Sequence, residues 1–413
     1  MFLSCRRLPL HPALLRTMQF FGVAVFISAM STALYAGQEK LVVGISADVN
    51  GGAVGPNISG VDLSLSPGRY VSYVGSSPSI SLKAHGEHAS LSSSYAFGFN
   101  SYNSDPSSRS NSHAALVAIT NEFGPKWNLS LSDSFSMTSD ISTFHLLSGL
   151  TPIPDQFEFS FNPVIAKSSR NNSASVGVNQ VLSKTSSMTY GVSHSLVSYG
   201  DDPKLNGVLS DQQRISASVG YSRSSERNTW SLGYSGAQFI FTSFQNSRTH
   251  SVSVGFSRRL SQMLSMHISG GPAYAQTTET VRHTLGANAS FGLQRTVRNG
   301  SFSFNVSQSG SDASGLGSVS TNRQVGVGVT RTFGRSISLA LDVAGLDSKE
   351  NNNRALATRS VTAGGSIGYS FARRWSVNWG GQYQRYEGNS LFGFDQKRIF
   401  AALRYSNPEV WRF

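Results

Sequence analysis

Gln324-Val325-Gly326-Val327-Gly328-Val329-Thr330 alternates a branched apolar residue with a small or polar one along its whole length. A period of two is the signature of a β-strand with one greasy face and one wet face; a helix would repeat its apolar positions every three to four residues. The same pattern extends in both directions from this stretch. Val252, Val254 and Phe256 alternate with Ser251, Ser253, Gly255 and Ser257, and Phe302, Phe304 and Val306 with Ser301, Ser303, Asn305 and Ser307. Beyond it, Ile337, Leu339, Leu341 and Val343 alternate with Ser336, Ser338, Ala340 and Asp342.

A soluble sandwich of sheets alternates too, so the connections decide the architecture. Tight ones fall near 85–87, 123–126, 183–185, 224–228, 258–262, 296–299, 333–335 and 372–374. Between them lie longer stretches rich in Asn, Asp and Ser, at 100–112, 137–156, 199–212, 310–321, 347–358 and 387–396. Short turns at one end and long loops at the other define an up-and-down membrane barrel, whereas a Greek-key sandwich mixes them. Segments such as 185–198, 228–241, 262–275 and 374–386 exceed an ordinary soluble strand and suit a tilted bilayer crossing. Arg223, Arg258, Arg295 and Arg331 recur at the ends of first strands, roughly 36 residues apart, so the repeating unit is a hairpin.

The expected fold is therefore all-β: a transmembrane antiparallel up-and-down β-barrel of an outer membrane, following a cleaved signal peptide. Seventeen strands are expected from Ser79 to Tyr405 and one more between Gly60 and Val74, about 18 in all within a range of 16–20. The range reflects 156–170, where Phe157, Phe159 and Phe161 alternate but Pro152, Pro154 and Pro163 flank them. An even count places both termini at the periplasmic, short-turn side.

Composition agrees with a chain organised by something other than a soluble core. Of 413 residues only 39% are hydrophobic and 14% charged, with 40 Gly and 25 Phe. Arg6, Arg7 and Arg16 precede the apolar run from Phe20 to Ala29, and Ser31, Ala33 and Ala36 follow it, the pattern of a secretory signal with cleavage after Ala33 or after Ala36. The expected organisation is a signal peptide over 1–36, a short periplasmic segment over 37–58 and the barrel over 59–413. Cys5, the single cysteine, lies in the signal region, which excludes thiol chemistry and disulfides in the mature chain. The net charge of +12 is scattered at turns rather than gathered on a basic patch, so nucleic acid is not an expected partner.

Trp127, Trp230 and Trp375 each follow a short turn by a few residues and are expected to form a periplasmic aromatic girdle, where an indole sits best. Alternation turns Ser173, Ser175, Gly177 and Asn179 of one strand, and Ser376, Asn378, Gly380, Gln382 and Gln384 of another, toward the lumen, with Asp342 and Arg404 as inward charges. Among nine histidines His85 and His88 are nearest in sequence, but they share a tight turn without a converging third ligand. His267 is expected to face the lumen and His194 to face out. Neither a Gly-x-Ser-x-Gly elbow, a phosphate loop nor an HExxH helix occurs, and neither catalysis, metal nor cofactor is expected.

Trp411-Arg412-Phe413 at the end of the chain resembles the terminal aromatic assembly signal of bacterial outer-membrane barrels. Pro408 and Glu409 depart from that pattern, and the last regular strand is expected over 398–405, with 407–413 as a tail. More broadly, Ser79-Ile80-Ser81-Leu82 leading through the His85-Gly86-Glu87-His88 turn, and the stretch FARRWSVNWGGQYQRYEGNSLFGFDQKRI over 371–399, resemble β-barrel porins found beside exopolysaccharide-export systems. That resemblance implies passage or export of a hydrophilic solute, polysaccharide among the candidates. It implies outer-membrane lipid and lipopolysaccharide, the barrel-assembly machinery and polysaccharide-export components as partners. The competing expectation is a structural or adhesive barrel whose long loops bind a partner outside the cell.

Overall fold

The structure is a computed structural model, and it describes residues 40–55, 58–59, 71–103, 109–138, 169–199, 211–242, 246–277, 282–312, 319–350, 357–387 and 393–412. Eighteen barrel strands follow one another. They are β1 (Lys40–Gly55), β2 (Val71–Ser76 continued by Ser79–His85), β3 (Ala89–Tyr102), β4 (Arg109–Phe123), β5 (Trp127–Thr138) and β6 (Ser169–Ser183). Next come β7 (Ser186–Tyr199), β8 (Gln212–Ser224), β9 (Asn228–Phe241), β10 (Ser247–Arg259), β11 (Leu264–Thr277) and β12 (Arg282–Val297). The last six are β13 (Gly300–Asp312), β14 (Val319–Phe333), β15 (Ile337–Glu350), β16 (Ala357–Ala372), β17 (Trp375–Glu387) and β18 (Gly393–Arg412). A two-residue strand, Ile58–Ser59, caps the upper end of β18 by pairing with Phe394 and Gly393.

Every strand pairs antiparallel with its sequence neighbours, and β1 pairs with β18 from Val42↔Arg412 to Gly55↔Lys397, which closes the barrel. Closure removes both sheet edges, the condition a sheet must meet in hydrocarbon, where an unpaired backbone group costs several kcal/mol. The short turns at 86–88, 124–126, 184–185, 225–227, 260–263, 298–299, 334–336 and 373–374 all lie at one end, together with Lys40 and Arg412. At two of these turns the chain reverses through a left-handed backbone, Gly124 at φ 66° and Gly334 at φ 64°, a conformation that costs a side-chain-bearing residue about 1–2 kcal/mol.

Two expectations change. The extra strand is Lys40–Gly55 rather than one starting at Gly60, so the N-terminal boundary of the barrel moves into the expected periplasmic segment 37–58. Val43, Ile45, Ala47 and Val49 supply its outward apolar positions, and without it β18 and β2 would each present an open edge. The last strand does not stop at Tyr405 but runs through Pro408 to Arg412. Pairing jumps from Ile45↔Asn407 to Val43↔Trp411, so Pro408, Glu409 and Val410 bulge opposite Gly44 and the proline falls where no ladder bond is needed. A Cβ on Gly44 would stand 2.8 Å from the Pro408 carbonyl oxygen, so the bulge rests against a residue that has no side chain. The expected hairpin or folded loop at 156–170 and the signal region 1–36 lie outside the described residues.

Only six hydrophobic residues of the described chain are buried, among them Leu91, Phe239 and Tyr73. Large apolar side chains stand exposed instead: Leu285 at 80%, Ile399 at 65%, Val49 and Val192 at 56%, Leu232 at 53%. They occupy one parity of each strand and meet across the ladders, as Val192↔Val176, Tyr234↔Val219 and Ile367↔Trp379 do. An inside-out distribution of this extent makes sense only if the outer wall faces lipid rather than water.

Candidate channel wall

The opposite parity forms the inner wall, and it is made of hydroxyls, amides and glycine. Ser173, Ser175, Gly177 and Asn179 lie on it, as do Ser376, Asn378, Gly380, Gln382 and Gln384, opposite in phase to the exposed Val176, Trp375 and Trp379. Asp342 and Arg404 share this face, Asp342 between the outward Leu341 and Val343 and Arg404 between Leu403 and Tyr405. His267 points in with Ser257, whose hydroxyl lies 2.9 Å from its Nδ1, and His194 is on the outer parity of β7, beside Gln213 at 2.7 Å.

Hydroxyls on adjacent strands pair across the ladder: Ser193 with Ser216 at 2.6 Å, Ser132 with Ser175 at 2.7 Å, Ser269 with Ser290 at 2.6 Å and Ser235 with Ser251 at 2.8 Å. Such pairs hold each Ser in place, while the second lone pair of each oxygen remains available to water or to a polar solute. Glycine provides the room. A Cβ on Gly255 would come within 2.3 Å of the Ser231 hydroxyl, which leans across the ladder into the space left open.

Charge on this wall is concentrated at the closing seam. Asp48 sits opposite Arg404 across the β1–β18 ladder, and Asn50 donates to Asp48 at 3.2 Å. Higher on the same seam Arg398, 5% exposed, donates from Nε to the Tyr73 hydroxyl at 2.9 Å and lays its guanidinium 4.5 Å above the Tyr73 ring. Tyr73 is itself 2% exposed and leans on Tyr102, ring centres 6.0 Å apart. The contact spans β1 between β2 and β18, because Gly52 opposite Phe400 and Tyr73 carries no side chain to block it. Arg398→Lys keeps the charge but loses the flat stacking surface and the Nε donor, and is expected to lower stability by about 2–3 kcal/mol. Thermal unfolding of detergent-solubilised protein measures it, with Arg404→Lys, half-buried and opposite a carboxylate, expected to change the midpoint far less.

Trp127, Trp230 and Trp375 are 43%, 57% and 41% exposed and stand on the outer wall within a few residues of the short turns; Trp411, 56% exposed, joins them from β18. Trp230 packs on Phe256 at 4.5 Å and Trp375 on Tyr405 at 5.0 Å. Phe413 lies outside the described residues. A set of residues on the outer wall escaped the sequence reading: Tyr95 with His113 and Tyr234 with His250, each hydroxyl 2.8 Å from the imidazole Nδ1, and Tyr274 with His283 in the same arrangement. Each pair is diagonal across a ladder, so only the register reveals it. Among the described residues no group of His, Cys, Asp and Glu converges as a metal site.

Fold and wall together define a closed 18-stranded barrel with a lipid-type exterior and a hydroxyl-lined interior. No family profile matches the chain, and no curated protein matches it in sequence. Solved barrels resemble it in architecture. OccK2 (OpdF) of Pseudomonas aeruginosa, solved in complex with glucuronate, is 10% identical over 89% of this chain and 98% of its own, with a TM-score of 0.48. OccAB4 of Acinetobacter baumannii is 9% identical over 92% and 100%, TM-score 0.45, and the FrpB iron transporter of Neisseria meningitidis 11% identical over 88% and 66%, TM-score 0.45. These are likenesses of barrel shape and do not extend to a solute.

Proposed function

We propose that the chain is an outer-membrane channel for passive passage or export of hydrophilic solutes, with a neutral or weakly charged polysaccharide as the fitting cargo. The observation that supports this reading is the inner wall, an almost continuous surface of Ser, Thr, Gly, Asn and Gln from β3 through β17, interrupted mid-wall by few charges such as Asp342. Paired hydroxyls and amides exchange hydrogen bonds with a sugar at nearly the same energy as with water, so a glycan neither sticks nor meets a desolvation barrier. A ladder of fixed charges would instead bind counter-charged solutes and slow them. A barrel of this strand number is wide enough to hold water in its lumen. Transport by this route forms no covalent intermediate.

Liposome swelling tests the reading. Vesicles containing the purified full-length protein should admit neutral oligosaccharides at rates that fall with size, and should admit a neutral sugar at least as fast as an acidic one of equal size. Exclusion of neutral sugars by vesicles that carry correctly folded protein would sink it.

A further inference from the structure

The four arginines that recur every hairpin, Arg223, Arg258, Arg295 and Arg331, stand in the structure on one face and at one height. All are exposed, all lie on the outer parity of β8, β10, β12 and β14, and all sit within a few residues of the short-turn end. Each is set against apolar or aromatic neighbours. Arg223 is opposite Trp230, Arg258 opposite Met266, Arg295 between Leu264 and Phe302, and the Arg331 guanidinium lies 5.3 Å over the Phe333 ring. No carboxylate of the described residues lies within ion-pair distance of any of them.

Part of the opposite rim is built differently. On its outer wall Asp347 takes Arg359 at 3.1 Å and Lys349 at 3.4 Å, and Glu387 takes Arg385 at 2.6 Å, so those cations find their counter-charges within the protein. At the short-turn rim the counter-charge must come from elsewhere. A groove of about 710 Å³ opens there around Arg295, walled by Gln262, Met263, Leu264, Leu293 and Phe302. Its wall is apolar on the side continuous with the lipid-facing belt and basic at the membrane edge, where Trp230 marks the interface.

We propose that this arc of the barrel, β8 to β14, is a binding surface for anionic glycerophospholipids of the leaflet at the short-turn side, with the groove at Arg295 as its best-formed seat. The lipid phosphate bridges the guanidinium and the turn, and an acyl chain lies along Leu264, Leu293 and Phe302. Arginine favours this role because its planar fork takes two phosphate oxygens at once while its face stays on an aromatic ring. The inference rests on the membrane-barrel reading above but adds a lipid class and a location to it.

Purified full-length protein is reconstituted into vesicles of phosphatidylcholine doped with a minor fraction of phosphatidylglycerol, extracted gently, and the retained lipids are counted by native mass spectrometry. Phosphatidylglycerol should be enriched over its share of the vesicle. Arg295→Gln should lower that enrichment about fivefold, and Leu293→Trp, which fills the groove without touching charge, should lower it too. Replacing all four arginines with glutamine should bring retention down to the vesicle ratio while the barrel still runs as a compact species on unheated gels. Retention at the vesicle ratio in the unmodified protein, or enrichment undiminished in the fourfold variant, would overturn the inference and leave the channel reading standing. Failure of the unmodified chain to insert into these vesicles would remove both.

Discussion

Gly52→Val should abolish formation of the closed barrel. A Cβ at position 52 would stand 2.0 Å from the Ile399 carbonyl oxygen and 3.0 Å from both the Ile399 carbonyl carbon and the Phe400 Cα. All three are backbone atoms of β18, and they cannot swing aside as the tip of a side chain would. Relief therefore requires β1 to move away from β18 along the ladder that closes the cylinder. Overpacking alone costs about 1–3 kcal/mol, and every backbone pair lost in hydrocarbon adds several more. The Arg398–Tyr73 contact that crosses Gly52 would be lost with it. The measurement is the fraction of protein that migrates as a compact, heat-sensitive species on unheated gels after refolding into detergent. Gly270→Val provides the comparison: a Cβ there meets nothing nearer than 3.5 Å, and the side chain would project from the lipid-facing parity of β11. It should refold like the unmodified chain.

Asn378→Asp, Gln382→Glu and Gln384→Glu combined should turn a weakly selective pore into a cation-selective one. All three positions lie on the inner parity of β17, and each exchange keeps the shape of the side chain while adding a carboxylate. In a wall otherwise built from hydroxyls and amides, three carboxylates on one strand, facing the same lumen as Asp342, become the dominant field there. The reversal potential across a bilayer under a potassium chloride gradient should move toward the potassium limit. The shift should shrink as ionic strength rises, because the screening length falls from about 10 Å at 0.1 M salt to about 3 Å at 1 M. A reversal potential unchanged by the three carboxylates would mean that ions do not pass along this wall.

The strands and the faces they present were legible in the sequence because period-two alternation is a local property. Val325, Val327 and Val329 reveal their strand without any knowledge of a partner, and so did the inner positions Ser376, Asn378, Gln382 and Gln384. Turn length was equally readable, and with it the edge where Trp127, Trp230 and Trp375 stand. The first strand was harder to see. Gly44, Gly51, Gly52 and Gly55, with Asp48 and Asn50, make Lys40–Gly55 read as a linker, yet Gly44 and Gly52 are what the crowded seam requires. Pro408 misled in the opposite direction, since a proline reads as the end of a strand unless the bulge it sits in is known.

What escaped the sequence altogether depends on register. Tyr73 and Arg398 are 325 positions apart and meet only because the termini pair. The Tyr–His diagonals and the groove at Arg295 likewise join residues from different hairpins. The arginine repeat was visible as a spacing, but its common outward parity and its lack of acidic partners emerged only once the strands were aligned.

The central claim is that this barrel is an open, hydroxyl-lined channel, and current through single molecules in a planar bilayer tests it most directly. Folded protein should insert in discrete steps of nearly ohmic conductance, with a reversal potential close to zero in a salt gradient and partial block by added neutral polysaccharide. Repeated insertion of folded barrels with no conductance step, or a conductance that no glycan reduces, would contradict it.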